Sequence, residues 1–204
     1  MKTNKDENTE EQILNAAKNV FQVKGMDGAR MQEIADKAGI NKAMLHYYYR
    51  SKQLLFEAVF KTAFSLLAPQ LNTILNDDSS IEDKIRNFTS NYITFISKHP
   101  YLPNFIIQEL NRNPDFILKM KNNLGFPNLE KFKKQVKTEV EKGILKPISA
   151  EQLFINILAL NIFPFVARPL IMAFTNTNDK AYKQLIENRK TEVADFIINS
   201  IKNT

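Results

Sequence analysis

The residues best suited to chemistry in this 204-residue chain are cations and aromatics gathered between Lys37 and Lys52. These sixteen residues hold four Lys or Arg, one His and three consecutive tyrosines, and no acid. Cations and hydroxyl groups without acidic partners can bind phosphates, so this stretch is a candidate nucleic-acid surface. The alternative is a solvated basic helix face, because residues 1–67 as a whole hold ten Lys or Arg against eight Asp or Glu.

Other kinds of chemistry find little support in the composition. The chain has no Cys, which excludes disulfides and Cys-based zinc sites, and its two His are too few for a His-rich metal centre. It shows no nucleophile–base pair and no phosphate-cradling glycine loop, so we expect no enzyme, no cofactor and no metal. The net charge of +6 permits nucleic acid as a partner without requiring it. The polar N-terminus lacks the apolar core of a signal peptide, so we expect a cytoplasmic protein.

Helical periodicity dominates the chain and predicts an all-α fold. Apolar residues recur three and four positions apart, strand-like alternation is missing, and only five glycines occur. The first helix is predicted to run from about Ile13 to Gly25, and a fourth from about Ser51 toward Pro69. Caps of later helices are predicted at Ser79 or Ser80, at Ser149, and at Asn178 or Asp179.

Two short helices joined by a tight turn lie at the centre of the basic stretch. Gly39 can supply the left-handed conformation that ends the second helix, and Asn41 is suited to cap the third. Ile40 and Leu45 have the spacing of a hydrophobic staple, which fixes the angle at which the chain enters the third helix. The arrangement predicts a helix-turn-helix whose third helix exposes residues near its N-terminus.

Lys42 and Lys52 are both predicted at helix N-termini, where a cation opposes the helix dipole. The expected cost is on the order of 0.3 kcal/mol for each lysine. A phosphate reverses this balance, because the backbone N–H groups, the dipole and the lysine all attract it. We therefore expect a phosphate-binding surface around a recognition helix.

The same residues resemble the DNA-binding domain of the TetR family of bacterial regulators. That family shows an IL-x-AA-x-x-LF start, a glycine, and then IA-x-x-AG-V-S-K-G-T-L-Y-x-H/Y-F-x-S-K-x-x-L. The resemblance implies a helix-turn-helix DNA-binding domain at residues 7–67, with its motif at about residues 30–49, and a ligand-binding and dimerisation domain at residues 68–204. The matching positions are Ile13-Leu14, Ala16-Ala17, Phe21, Gly25, Ile34-Ala35, Ala38-Gly39, Lys42, Leu45, Tyr48, Ser51-Lys52 and Leu55.

Several positions depart from the family pattern. The usual Thr and Ser or Thr that open the second helix are Ala29-Arg30 here, so the cap hydroxyl is missing and Arg30 could bind phosphate instead. The Gly-Thr pair of the recognition helix is Ala43-Met44, and Met44 could contact a thymine methyl group. The usual Tyr is His46, and the final Phe is Tyr49, which we expect in the core. By resemblance, the DNA contacts are Arg30, Gln32, Asn41, Lys42, Ala43, Met44, His46, Tyr47, Tyr48 and Lys52.

The remaining two thirds of the chain are expected to form a sensor and dimer body. Residues Leu153–Phe174 are interrupted only by two Asn, one Arg and two Pro, and they predict a long apolar helix that is buried on all sides. A transmembrane span is the alternative, against which these polar residues and prolines argue. This helix and the last one would form a four-helix interface in the homodimer that the family implies. Asp at Ile157 or Ile197 is therefore expected to dissociate the dimer or to make the protein insoluble, because a buried charge without a partner is costly. The apolar stripe of the last helix comprises Tyr182, Leu185, Ile186, Val193, Phe196, Ile197 and Ile201.

Fifteen phenylalanines and six tyrosines are many for a chain of this size. They could form a plain aromatic core, or as a set they could line a cavity for a hydrophobic or aromatic small-molecule effector. Asn161 would either face that cavity or form a hydrogen bond across the dimer. The candidate lining residues are Phe64, Phe88, Tyr92, Phe95, Phe105, Phe154 and Asn161.

The patterns and the resemblance together predict a cytoplasmic, homodimeric transcriptional regulator. We expect it to bind a palindromic double-stranded DNA operator as a repressor that ligand releases, with no membrane partner. Two other hypotheses stay open: a helical adaptor that binds protein partners, and a lipid- or small-molecule-binding protein without DNA function. The basic recognition helix favours the regulator over both.

Overall fold

A computed structural model of the chain describes residues 4–100, 102–112 and 128–203. Over these ranges the protein is helical, without a β-strand, and one isolated antiparallel bridge pairs Leu145 with Lys202. The prediction of an all-α fold is confirmed. The helices are α1 (Asn4–Gly28), α2 (Met31–Lys37), α3 (Lys42–Tyr48), α4 (Lys52–Asn76), α5 (Ile81–Lys98), α6 (Leu102–Arg112), α7 (Glu130–Glu141), α8 (Ala150–Val166), α9 (Arg168–Thr175) and α10 (Asp179–Ile201).

The first compact unit, which we call the head, comprises Met1–Leu66 and Phe105–Pro114. Its apolar core contains Ile13 and Phe21 of α1, and the ring of Phe21 packs edge-on against Phe56 of α4 with centroids 5.0 Å apart. The sequence assigned everything after residue 67 to a second domain, whereas the structure groups Phe105–Pro114 with the head. The functions assigned to the two domains stay a prediction.

The second unit, which we call the body, comprises Leu67–Asn104 and Asp115–Thr204. Its last helix, α10, packs most extensively on α5, and α8 packs on both of them. The short helix α9 covers a cluster formed by Ile93, Tyr182 and Ile186. The stripe predicted on the last helix is therefore largely buried within the chain itself.

Side-chain caps begin the helices of the body where the sequence predicted them. Ser80 Oγ accepts a hydrogen bond from Asp83 N at 3.1 Å, and Ser149 Oγ accepts one from Gln152 N at 3.2 Å. Asn178 Oδ1 accepts one from Ala181 N at 2.9 Å. Each bond satisfies a backbone N–H that has no partner within its helix.

Helix α4 extends beyond the end suggested by Pro69. It continues through this proline to Asn76, so its residues belong to both head and body. Proline removes one backbone hydrogen bond, but Ala68, Leu71 and Leu75 are buried at helical spacing around it. Burial of this apolar face outweighs the lost hydrogen bond.

The apolar segment Leu153–Phe174 is not one helix, which corrects the sequence prediction. Helix α8 ends at Val166, and α9 begins at Arg168 with its axis turned by 77°. Pro169 lies in the first turn of α9, where proline is tolerated because its missing N–H would have no partner. By length and hydropathy this bent pair and α4 could each cross a membrane, and half of the apolar window of α4 is buried within the protein.

The structure also corrects the two positions chosen to probe the dimer. Ile157 and Ile197 are both buried within the chain, so they belong to the core of the body rather than to an outer face. The periodicity correctly identified these positions as apolar and inward. It could not distinguish the interior of one chain from an interface between two.

Candidate nucleic-acid interface

The turn between α2 and α3 has the geometry that its residues predict. Gly39 has a φ of 69°, in the left-handed region that glycine adopts at little cost. Asn41 Oδ1 accepts a hydrogen bond from Met44 N at 2.7 Å and so caps α3. Ile40 N donates to Ala35 O at 3.1 Å, which closes the end of α2. These bonds fix the direction in which α3 leaves the turn.

Two anchors hold α3 in the head although it is only seven residues long. Leu45 is fully buried, and the buried Tyr49 donates its hydroxyl proton to Glu10 Oε1 at 3.1 Å. Burial, together with the nearby Glu10 carboxylate, raises the pKa of Tyr49 well above its usual range. The phenol is therefore neutral, and the expected place of Tyr49 in the core is confirmed.

The opposite side of α3 is exposed. Tyr47 has 82% of its surface accessible, and its ring meets the half-buried ring of Tyr48 edge-on with centroids 5.5 Å apart. On this face a cation can bind phosphate oxygens, and a small residue allows close approach of the DNA. A thioether can contact a methyl group, and a phenol can donate to a hydrogen-bond acceptor. The other exposed residues here are Lys42, Ala43, Met44 and His46.

Helix α2 contributes a second exposed edge. Arg30 stands at its N-cap position in extended conformation, is exposed, and makes no side-chain cap hydrogen bond. The exposed Gln32 donates its side-chain amide to Asp36 Oδ1 at 2.8 Å. Lys24 of α1 pairs with Glu33 of α2 at 2.7 Å, which helps to hold α2 against α1.

Lys52 differs from the other predicted phosphate ligands. Its ammonium donates to the carbonyl oxygens of Ala29 at 3.0 Å and Asp27 at 3.3 Å, and the side chain is half-buried. These contacts span 23 and 25 residues, so no local sequence pattern could reveal them. Arg50, which the family pattern did not single out, is an exposed cation directly after α3. The only sequence signal for Arg50 was the charge count of the basic stretch.

The aromatic residues proposed as cavity lining are largely buried. Phe64, Phe88, Tyr92 and Phe95 have little exposed surface, and the rings of Phe88 and Tyr92 stack with centroids 5.5 Å apart. Burial raises the pKa of the Tyr92 hydroxyl. Phe154 is half-buried, and the side chain of Phe105 lies outside the described residues. The effector contacts assigned to these residues stay a prediction.

Asn161 lies in the interior of the body with 1% of its surface exposed. Its amide nitrogen donates to Thr89 Oγ1 at 3.2 Å and to Ile157 O at 2.8 Å, so it joins α8 to α5 within one chain. Its Oδ1 atom has no hydrogen-bond partner among the described residues. This placement argues against the hydrogen bond across the dimer.

A cavity of about 340 Å³ lies elsewhere in the body, between the end of α5, the α8–α9 bend and α10. Arg168 stands at its edge, paired with Asp179 at 2.7 Å and with its guanidinium 5.3 Å from the centre of the Tyr182 ring. The Tyr182 hydroxyl donates to Pro164 O at 2.6 Å, so this ring is a fixed wall. The described lining comprises Ser97, Pro100, Phe165, Arg168, Tyr182, Lys183, Ile186 and Glu187. Among the described residues no cluster of His, Asp or Glu could hold a metal ion.

Comparison with known proteins agrees with this geometry. The family described as "Bacterial regulatory proteins, tetR family" matches at residues 13–59, which contain α2, α3 and their anchors. An uncharacterized HTH-type transcriptional regulator of Bacillus subtilis, YdeS, is 25% identical over 90% of this chain and 89% of its own. The HTH-type transcriptional regulator RutR of Escherichia coli is 41% identical, but over only 28% of this chain and 27% of its own.

The similarity to solved structures covers nearly the whole chain and not only the head. A TetR family transcription regulator from Marinobacter aquaeolei superposes with a TM-score of 0.66 over 98% of both chains at 15% identity. At that identity the superposition shows a shared fold alone, and the similarity to regulators comes from the head match and the curated relatives. Residues 13–59 thus match the TetR family, and the comparisons support a DNA-binding, helix-turn-helix transcriptional regulator of that type.

Proposed function

We propose that this protein is a cytoplasmic homodimeric repressor that binds a palindromic operator and is released by a small ligand. Residues 7–67 would bind DNA, and residues 68–204 would dimerise and bind the ligand. The observation that carries the proposal is the exposed face of α3, with Lys42 and Tyr47 outward while Leu45 and Tyr49 hold the helix from inside. Arg30, Gln32, Asn41, Ala43, Met44, His46 and Tyr48 complete the proposed contact set. Lys52, which the resemblance also implies, differs from them because its ammonium already donates to Ala29 O and Asp27 O.

Dimerisation is supported by apolar side chains that the body leaves exposed. Ile155 and Phe163 of α8 lie two helical turns apart and are 54% and 56% exposed, and Phe196 of α10 is also exposed. Large exposed apolar groups on neighbouring helices favour burial against another protein surface. A second copy is the partner that a palindromic operator requires, since two-fold symmetric DNA matches a two-fold symmetric protein.

Ligand release is supported by the cavity of the body and by the path of α4. The lining of the cavity includes the apolar Phe165 and Ile186, and its two cations, Arg168 and Lys183, outnumber its one acid, Glu187. This lining suits a molecule with an apolar part and an anionic group. Helix α4 contributes residues to both units, so a ligand that favours another position of this helix would change DNA affinity.

Selection of bound fragments from random DNA, followed by affinity measurements at several salt concentrations, tests this proposal. We expect a two-fold symmetric site. Lys42→Met should reduce the slope of log affinity against log salt by about 0.9 per lost phosphate contact. Lys61→Met, which removes an exposed lysine of α4 in the head, is the matched control and should leave the slope unchanged.

A base-contact variant completes the same experiment. Met44→Ala should keep the salt slope and weaken binding by about 1 kcal/mol at one base pair per half-site, because an apolar contact reads bases and not charge. Failure of the wild-type protein to enrich any fragment would contradict DNA binding. It would favour the adaptor or the lipid- and small-molecule-binding alternative.

A further inference from the structure

The two lysines at helix N-termini in the head have different surroundings. Lys42 is exposed and makes no hydrogen bond or ion pair within the described part of the chain. Lys52 is half-buried, and its ammonium donates to Ala29 O and Asp27 O. An ammonium has three N–H donors, so two of the three in Lys52 are already committed to the protein backbone.

The backbone that Lys52 contacts belongs to the connection between α1 and α2. Helix α1 is interrupted at Gly25, whose φ is 64°, and it ends at Gly28. Arg30, the N-cap residue of α2, makes no side-chain cap hydrogen bond, and the buried Ala29 has no polar side chain to offer one. Carbonyl groups at the end of a helix lack partners within that helix, and a cation there is favoured by the helix dipole.

We propose that Lys52 is a positioning residue of the helix-turn-helix and not a direct phosphate ligand. Its ammonium holds the Ala29–Arg30 peptide against the first turn of α4 and so fixes where α2 begins. Helix α2 packs on both α1 and α3, so a shift of its first residue changes the direction in which Arg30 and α3 face DNA. The ammonium restrains the start of α2 by donating to carbonyl oxygens, whereas the missing cap hydroxyl would accept a hydrogen bond from a backbone N–H.

The same hydrogen bonds connect the DNA-binding helices to α4. Lys52 is the first residue of α4, and this helix continues to Asn76 in the body. A movement of α4 that breaks the bonds to Ala29 and Asp27 would therefore release the start of α2. Lys52 thus affects DNA binding indirectly, by fixing the position of α2.

The test compares Lys52→Met with Lys42→Met in DNA titrations at four or more salt concentrations. We expect Lys52→Met to weaken binding about tenfold at every salt concentration while the slope keeps its wild-type value. Lys42→Met should reduce the slope instead. Lys52→Arg retains a cation with several donors and should recover most of the affinity. Hydrogen exchange of the backbone amides of residues 29–34 should accelerate in Lys52→Met and not in Lys42→Met.

Two results would overturn the proposal. One is a reduced slope in Lys52→Met, equal to that of Lys42→Met, with unchanged amide exchange, because that is the behaviour of a phosphate ligand. The other is unchanged affinity and slope. If Lys52→Met does not fold, nitrogen-15 NMR of the lysine ammonium groups in the wild-type protein decides. A slowly exchanging Lys52 ammonium in free protein that persists after operator is added supports positioning, and one that appears only with DNA contradicts it.

The DNA-free measurements also separate this inference from the proposed function. Amide exchange and the ammonium signal report on the Lys52 contacts in the protein alone. A wild-type protein that binds no DNA would refute the repressor, while these two measurements would still support or overturn the contact.

Discussion

The head and the body expose opposite kinds of side chain on helices that are anchored in the same way. In the head, α3 buries Leu45 and presents Lys42, Ala43 and Tyr47 outward. In the body, α8 buries Ile157 and presents Ile155 and Phe163. A cationic and hydroxylated face suits a hydrated polyanion, whereas an aliphatic and aromatic face suits another apolar surface.

The comparison shows that outward residues, and not the buried ones, distinguish the two regions. Leu45 and Ile157 have the same structural role, because each buries apolar surface and anchors its helix to its own unit. Each full burial stabilises the fold by about 1.5–3 kcal/mol. What the anchored helix then recognises depends on the residues of its opposite face, such as Tyr47 two positions after Leu45 and Ile155 two positions before Ile157.

The largest effect is expected from a charge placed in the interior of the body. Ile157→Asp should destabilise the protein by about 3–5 kcal/mol, because the carboxylate would be buried without a partner at a position that is 3% exposed. That loss is a large part of the stability of an ordinary domain, so we expect an unfolded or insoluble protein. Circular dichroism during thermal denaturation measures it.

Ile155→Asp is the matched control for this prediction. Ile155 lies two residues earlier on the same helix and is 54% exposed, so its variant should remain helical and soluble. Equal stability of the two variants would mean that the inner and outer faces of α8 are assigned wrongly.

A smaller effect is expected from charges on the outer face of the body. Phe163→Asp should leave the melting temperature of the monomer nearly unchanged and raise the dimer dissociation constant by at least about 100-fold, or about 2.7 kcal/mol. The reason is that a charge replaces an apolar side chain proposed to be buried between two copies. Sedimentation equilibrium at micromolar concentration measures the dissociation constant.

An exposed apolar residue of the head provides the contrast. Val23→Asp alters a side chain of α1 that is also largely exposed and should leave the dimer intact. A wild-type monomer in solution would remove both the interface and the palindromic operator from the proposal.

Local rules predicted those parts of the fold that depend on a few consecutive residues. The turn at Gly39, the caps at Asn41 and Ser149, and the inward Leu45 follow from backbone preference, hydrogen-bonding capacity and helical spacing. The head was further defined by its resemblance to a known family, since its motif residues have fixed spacing.

The sequence did not predict features that depend on contacts between distant residues. Pro69 suggested a helix end, but the packing of flanking residues carries α4 through it. Ile197 was assigned to a dimer interface because periodicity shows only that a residue is apolar on one side of a helix. The Lys52 contacts join residues more than twenty positions apart, and the cavity near Arg168 forms from three separate segments.

The smallest effect is expected at this cavity, where the body combines apolar and cationic groups. Octanoate has an apolar chain that can pack on Phe165 and Ile186 and a carboxylate that can pair with Arg168. It should raise the melting temperature of the DNA-free protein, because a ligand that binds the folded state stabilises it by mass action. Arg168→Met should weaken octanoate binding about tenfold, which corresponds to about 1.4 kcal/mol.

Two comparisons decide whether charge at the cavity matters and whether the ligand acts on DNA binding. 1-Octanol lacks the carboxylate, so it should bind the wild-type and Arg168→Met proteins equally. Lys134→Met removes an exposed cation of α7 outside the cavity, so it should leave octanoate binding unchanged. If octanoate releases DNA, operator must weaken octanoate binding by the same factor, because coupling between two sites is reciprocal. Octanoate affinity that is equal with and without operator would mean that the cavity binds an acid without regulating DNA. If octanoate does not bind at all, the proposal that this cavity binds a molecule with an apolar part and an anionic group is contradicted.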